Sequence, residues 1–200
     1  MDDSTVDFYN LHAAEQAALY ETADMSAMYH RLADILPFHG TILEIGCGSG
    51  RDARALADMG FSVVATDASL GMLREAERHA ESNFSNLSFI HLPFPIPYNH
   101  PFLEKKFDLV LSVAVLMHLT PEDRKKTLAQ VSQLLKPMGY FYCSFKNQTG
   151  VDKRLYQHIE IAELIAECCN VGLKNCLEEF GQDVLGRNAV WMTMIFQKVF

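Results

Sequence analysis

The sequence predicts an α/β fold: a doubly wound, mostly parallel seven-stranded sheet with an antiparallel last strand, helices on both faces and a helical lid at the N-terminus. Three observations carry that expectation. Short apolar, β-branched runs alternate with helical patterns through most of the chain. The connections are short, so the crossover helices must lie against the sheet and cover both of its faces. The last two apolar runs have no helix between them, and such strands pair antiparallel.

Residues 8–36 carry apolar side chains at helical spacing in two stretches, broken near residues 22–24 and ended by Pro37, His39 and Gly40. Met25 and Met28 read as core positions of the second stretch. Residues 41–45 form a strand that stops at Gly46. Helix formers follow over 51–59, with Gly60 at the position that closes a helix. A second strand, 61–66, ends at Asp67, and Ser69 is placed to cap a helix running to Ala80. Residues 87–91 read as the third strand, and 92–101 as a loop holding four of the seven prolines. The fourth strand is 107–113, followed by an amphipathic helix over 122–135 that Thr120 and Pro121 open. Residues 139–145 are the fifth strand, 159–170 a helix closed by Gly172, and 173–180 with 190–199 the closing pair. No repeat or linker divides the chain, so one structural domain is expected, with 1–36 as its lid segment and 37–200 as its body.

Bulk properties exclude several classes. At 49% hydrophobic and 21% charged residues, 200 residues bury a core without disulfide support. No run approaches the roughly 18 apolar residues of a membrane span. The opening MDDSTVDFYN lacks the basic flank and apolar core of a secretory signal. Five cysteines, with no C-x-x-C and no Cys/His metal spacing, read as free thiols in a reducing compartment with no metal. A cytoplasmic location is therefore expected. The net charge is −8, and the one short basic cluster, Arg124, Lys125 and Lys126, follows Glu122 and Asp123 and reads as a solvated helix face. That pattern argues against a nucleic-acid partner, which needs a basic face. Oligomeric state is left open.

The most informative segment is residues 42–50, ILEIGCGSG. It leaves a buried strand, turns on glycines and enters a helix whose first N–H groups have no partner within the helix. The second strand ends in Asp67, an acid able to accept both ribose hydroxyls of a nucleoside at the carboxyl ends of the strands. A dinucleotide fingerprint puts its third glycine at position 51, where this chain has Arg51. The pattern E-x-G-x-G-x-G instead resembles the first motif of the class I S-adenosylmethionine-dependent methyltransferases. VVATDAS (63–69), FDLVLSVAVLMHL (107–119) and LLKPMGYFYCSF (134–145) resemble later motifs of that superfamily, and FYNLHAAEQAALY (8–20) its cofactor-covering helix.

The resemblance implies a Rossmann-like domain with S-adenosylmethionine as cofactor and a small-molecule acceptor. It implies that Gly46, Cys47 and Gly48 pass close to the methionine moiety and ribose, with Glu44 behind them. Asp67 is then the ribose acceptor, Ala68 and Met72 line the adenine face, and Ser112 and Val113 approach the methionine moiety. Tyr9 and Tyr20 close the pocket from above. The acid that many members carry after the third strand is absent here, and His91 is the substitute candidate.

For the acceptor, His118 is placed to act as a base, histidine having an ordinary pKa near 6.5, or to pack within a short helix. Arg51 and Asp52 either orient ligands or pair at the helix start. Lys146, Lys153, Arg154 and Arg187 would bind an anionic acceptor if they converge. Residues 93–98 form a wall of the site or a stiff connection. Two rival functions stay in view: a non-catalytic S-adenosylmethionine-binding or scaffold module, and a nucleotide-dependent oxidoreductase. Position 51 and the antiparallel ending count against the second.

Overall fold

In a computed structural model, residues 3–81, 83–147 and 154–199 are described. The elements run α1 (Asp3–Leu11), α2 (Ala13–Tyr20), α3 (Ser26–Ile35), β1 (Thr41–Ile45), α4 (Arg51–Asp58), β2 (Ser62–Asp67) and α5 (Leu70–Ala80). There follow β3 (Leu87–His91), β4 (Phe107–Val113), α6 (Pro121–Leu134), β5 (Leu135–Lys146), α7 (Ile161–Asn170), β6 (Leu173–Gln182) and β7 (Val190–Lys198). The sheet order is β3-β2-β1-β4-β5-β7-β6. Strands β1 to β5 pair parallel, and β7 runs antiparallel to both β5 and β6. The order reverses between β1 and β4, which places the ligand crevice of a doubly wound sheet at the carboxyl ends of those strands.

Period-two alternation divides the buried strand residues between two cores. Leu43, Val110, Phe141, Cys143 and Met194 face α6 and α7, packing with Leu128, Val131, Leu164 and Cys168. Ile42, Leu109, Leu111, Tyr142 and Ile195 face the opposite layer, against Leu32 of α3, Leu56 of α4 and Leu73 of α5. Each fully buried aliphatic side chain contributes about 1.5–3 kcal/mol, so both layers are held chiefly by this burial.

Several expectations are corrected. The N-terminal region forms three helices rather than two, beginning at Asp3, with an extra break at His12 (φ −108°, ψ 20°). Strand β5 begins at Leu135, which pairs with Phe107 ahead of a bulge, rather than at Gly139. The Met138-Gly139 signal marks that irregularity: Met138 has φ +65°, and a Cβ on Gly139 would sit 3.0 Å from the Asp108 carbonyl oxygen. Arg124 does not lie on a solvated face. It is 1% exposed, and its Nε and Nη2 donate to Glu167 of α7 at 2.8 and 3.0 Å. The helical period turns it under α7, while Lys126 stays outside with Glu122. The proline loop 93–98 is a connection: Gln130 of α6 holds the Ile96 backbone through both its N–H and its carbonyl.

The N-terminal helices dock through small residues. Ala13 and Ala17 pack on Met72 of α5. A Cβ on Gly71 would meet the Asn10 backbone at 3.0 Å, so glycine lets α1 approach. The Asn10 side-chain oxygen accepts from Gly71 N–H and from the Ser69 hydroxyl, satisfying the start of α5 from outside that helix. Among the described residues, no helix is long and apolar enough to cross a membrane, and no cluster of His, Cys, Asp and Glu could hold a metal ion.

Candidate active site

A cavity of about 370 Å³ opens at the carboxyl ends of β1, β2, β4 and β5, roofed by α1–α3 and walled by the β6–β7 hairpin. Its floor is the glycine loop. Gly46 has φ +72°, and a Cβ there would lie 2.3 Å from Val115 Cγ2, so no other residue fits without moving the chain. Gly46 and Cys47 both donate their N–H to the Thr66 carbonyl, which ties the loop to β2. Asp67 closes that side: Oδ2 accepts from Gly48 N–H at 2.9 Å and Oδ1 from Ser69 N–H at 2.8 Å. Burial raises the Asp67 carboxyl above its ordinary range, and these backbone donors pull against that rise. The Tyr20 ring lies over Gly48.

Glu44 also lines the cavity, 2% exposed, and its Oε2 has no hydrogen-bond partner. Burial, reinforced by the negative charge of Asp52, lifts its pKa well above the usual carboxylate value. Between the ordinary carboxylate value and the raised folded one, folding is therefore accompanied by uptake of a proton at Glu44. The penalty for that uptake is absent below the ordinary value of about 4.3 and grows as pH rises toward the folded pKa. Glu44→Gln should accordingly be more stable than the wild type at neutral pH and equal to it near pH 4. Urea unfolding at both pH values checks this, and a variant destabilised at neutral pH would contradict it.

Arg51 and Asp52 form a fork-to-fork pair at the start of α4, through Nε at 2.8 Å and Nη2 at 2.9 Å. Arg51 Nη1 also donates to the Tyr20 carbonyl, and Tyr29 of α3 donates to Asp52 at 2.6 Å. Arg54 holds Glu21 at 2.6 Å. The start of α4 thus fastens the helical roof to the glycine loop.

In the same lining, His118 ends the 3-10 turn Leu116–His118 and is 2% exposed. Its Nδ1 lies 2.6 Å from the Leu155 carbonyl, which only accepts, so Nδ1 carries the hydrogen. In the neutral ring the Nε2 lone pair then faces the Tyr9 hydroxyl at 3.4 Å on the cavity wall.

Of the residues singled out from sequence, Tyr9, Tyr20, Glu44, Gly46, Cys47, Gly48, Asp67, Met72, Val113, His118, Arg51 and Arg187 share this lining. Others lie outside it. Ser112 alternates with Val113 along β4, so its hydroxyl is buried on the other side without a hydrogen-bond partner. His91 Nε2 lies 3.0 Å from the Ala68 carbonyl, and neither residue lines the cavity. Lys146 sits 5.8 Å over the Tyr156 ring, and Arg154 stacks on Phe8, Tyr9 and Tyr156. Of the three described basic residues only Arg187 reaches the lining, already bonded to Asp183; Lys153 is outside the described residues. Met25 and Met28, read as core, both line the cavity. Arg31, Tyr142 and Leu185 also line the cavity and were not legible as site residues, because the packing of α3 on the sheet and the β6–β7 hairpin bring them there.

A doubly wound sheet with a glycine-loop pocket and an acid at the end of its second strand defines a Rossmann-like nucleoside-binding protein. Residues 42–139 match the family model described as a methyltransferase domain. A ubiquinone biosynthesis O-methyltransferase of Dinoroseobacter shibae is 35% identical over 150 residues, covering 70% of this chain; the chain spans 56% of that relative's length. Two solved structures share the fold. Magnesium protoporphyrin IX methyltransferase from Synechocystis PCC 6803, with bound S-adenosylhomocysteine, has a TM-score of 0.76 at 17% identity, covering 98% of this chain and 100% of its own. The Burkholderia thailandensis 1,6-didemethyltoxoflavin N1-methyltransferase has a TM-score of 0.75 at 18% identity, covering 99% and 88%. The chain belongs to the class I S-adenosylmethionine-dependent methyltransferase superfamily.

Proposed function

We propose that this protein transfers the methyl group of S-adenosylmethionine to a hydroxyl of a small-molecule acceptor, with His118 as base. The observation that carries this reading is that one cavity is lined both by Glu44, Gly48 and Asp67 and by His118, whose Nδ1 is held by the Leu155 carbonyl. The residues present fit the cofactor. Glu44 offers a buried oxygen without a partner for an ammonium group, and Asp67 has acceptor capacity left for ribose hydroxyls. Glycine backbone allows close approach, Met72 supplies an apolar floor, and the volume suits a small ligand. When bound, S-adenosylmethionine supplies an electrophilic methyl group on a sulfonium.

The chain's own residues then have three tasks. The α1–α3 roof, residues 1–36 in our division against a body of 37–200, acts as a lid that keeps water from the reaction, with Tyr9 and Tyr20 at its inner surface. The walls hold the acceptor in line, which supplies much of the acceleration. His118 Nε2 takes the acceptor's hydroxyl proton as its oxygen bonds to the methyl carbon and the carbon–sulfur bond breaks. Arg31 pairs with Glu179 and Arg187 with Asp183, so the charges along this wall are matched. With Tyr142, Met25, Met28, Leu185 and Trp191 alongside, this favours a largely apolar, hydroxyl-bearing acceptor over a polyanion. The name of the Dinoroseobacter relative, an O-methyltransferase, supports oxygen as the atom methylated. We place the protein in the cytoplasm, where its five free thiols stay reduced.

Calorimetric titration with S-adenosylhomocysteine, with NAD as control, tests the cofactor. Micromolar binding of the former alone, about −8 kcal/mol, is expected. Asp67→Ala should weaken it by about 1–3 kcal/mol through loss of an ionised acceptor. Binding of NAD alone would favour an oxidoreductase, and unchanged affinity in a folded Asp67→Ala would remove Asp67 from the site.

A further inference from the structure

The segment over residues 154–157 stitches the lid to the base, and the base assignment above is the reading on which this inference rests. Leu155 N–H donates to the buried Thr5 hydroxyl of α1 at 2.8 Å, and its carbonyl accepts from His118 Nδ1. Gln157 N–H donates to the Met117 carbonyl at 2.8 Å. Arg154 Nη1 donates to the Tyr9 hydroxyl oxygen at 3.0 Å, while its guanidinium carbon lies 4.5 Å from the Phe8 ring centre, 5.4 Å from that of Tyr9 and 5.3 Å from that of Tyr156.

These bonds set the direction of a proton. A guanidinium only donates, so Arg154 occupies an acceptor position on the Tyr9 oxygen. Tyr20 lies 3.5 Å from the same oxygen, but its single hydrogen has the Gln16 carboxamide oxygen nearer, at 3.3 Å. With Arg154 donating to its oxygen, the Tyr9 hydroxyl has His118 Nε2, at 3.4 Å, as the nearer of two acceptors, the Tyr20 oxygen lying at 3.5 Å, and Nε2 can accept because Nδ1 carries the ring hydrogen. The 3.4 Å separation is long for an O–H donor, so an acceptor hydroxyl entering the cavity can take its place.

We propose that Arg154, which lies behind Tyr9 and outside the cavity lining, is a positioning residue: it orients the Tyr9 hydroxyl as a donor to His118 and so favours the neutral imidazole under the lid. Among the described residues, the titratable and charged groups around His118 are Tyr9 from α1, with Tyr20 of α2 behind it, Tyr156 at a ring separation of 4.8 Å, Arg154, and Lys146 at the end of β5. Arg154 also acts on His118 through space by its charge, and the test must separate the two routes.

The test follows the His118 ring by NMR titration of the ligand-free full chain in four forms: wild type, Arg154→Met, Tyr9→Phe and the double variant. With Arg154 present, Tyr9 favours neutral His118. Without it, the hydroxyl can turn and accept from the protonated ring. Arg154→Met should therefore raise the His118 midpoint by about half a pH unit or more, and by clearly less when Tyr9 is already Phe. Arg154→Lys keeps the charge without the planar fork and should fall between wild type and Arg154→Met; it also serves should the Met variant fail to fold. Equal shifts with and without the Tyr9 hydroxyl would mean that Arg154 acts by charge alone and would overturn the proposal, as would no shift at all. No cofactor or acceptor enters this titration, so a failure of the base assignment, seen as full methyl transfer by His118→Ala, is scored separately.

Discussion

His118→Ala should lower the rate of methyl transfer to a phenolic or catechol acceptor by about 10²- to 10⁴-fold, the range expected for loss of a positioned base. Affinity for S-adenosylhomocysteine should change little, because the proposed cofactor contacts, Glu44, Gly48 and Asp67, are left in place. The deficit should narrow as pH approaches about 10, where a phenol ionises without help. Initial rates across that range, with calorimetry on the same variant, separate the two effects. A variant with wild-type rates at neutral pH would show that approach and alignment suffice and that His118 only packs. His118 is the discriminating target because one bond, from Nδ1 to the Leu155 carbonyl, decides which nitrogen presents a lone pair.

Glu167→Ala should destabilise the protein by about 3–5 kcal/mol, a large share of the 5–15 kcal/mol typical of a folded domain. Arg124 is buried to 1% and spends Nε and Nη2 on Glu167, while its Nη1 has no hydrogen-bond partner. Removing the carboxylate leaves a guanidinium between α6 and α7 with only Glu163, 3.5 Å from Nη2 and half exposed, to offset it. Replacing both partners, as Arg124→Met with Glu167→Leu, should recover most of the loss, since an apolar pair of similar volume avoids the desolvation cost. Urea unfolding of the single and double variants measures this. A single-variant loss under about 1 kcal/mol would show that water reaches the pair.

The two targets differ in how far they could be read from the chain alone. His118 stood in a strand-end motif, so its place near the pocket was legible, though its tautomer was not. Arg124 was misread, because a helix with acids and bases on successive turns looks solvated until the packing of α7 is known. Met25 and Met28, read as core from their helical spacing, do pack in the layer beneath α3, Met28 at 6% exposure, and both also border the cavity, which spacing alone did not show.

Local order along the chain was determined by the sequence itself. The strand–turn–helix run through Gly46, Gly48 and Gly50, the acid at Asp67 and the cap at Ser69 each depend on neighbours a few residues away, through turn geometry, capping and period-two burial. The antiparallel ending followed from a missing crossover helix, which is again a local fact. What tertiary structure alone decided are the contacts between distant segments. Arg154 meets Tyr9 across 145 positions, Arg31 of α3 meets Glu179 across 148, and one wall of the cavity is the β6–β7 hairpin. No periodicity encodes such meetings, because they depend on how whole layers stack and on which side of a strand each residue falls. Ser112 and Val113 show this in one step: adjacent in sequence and equal as candidates, they face opposite sides of the sheet, and only Val113 reaches the cavity.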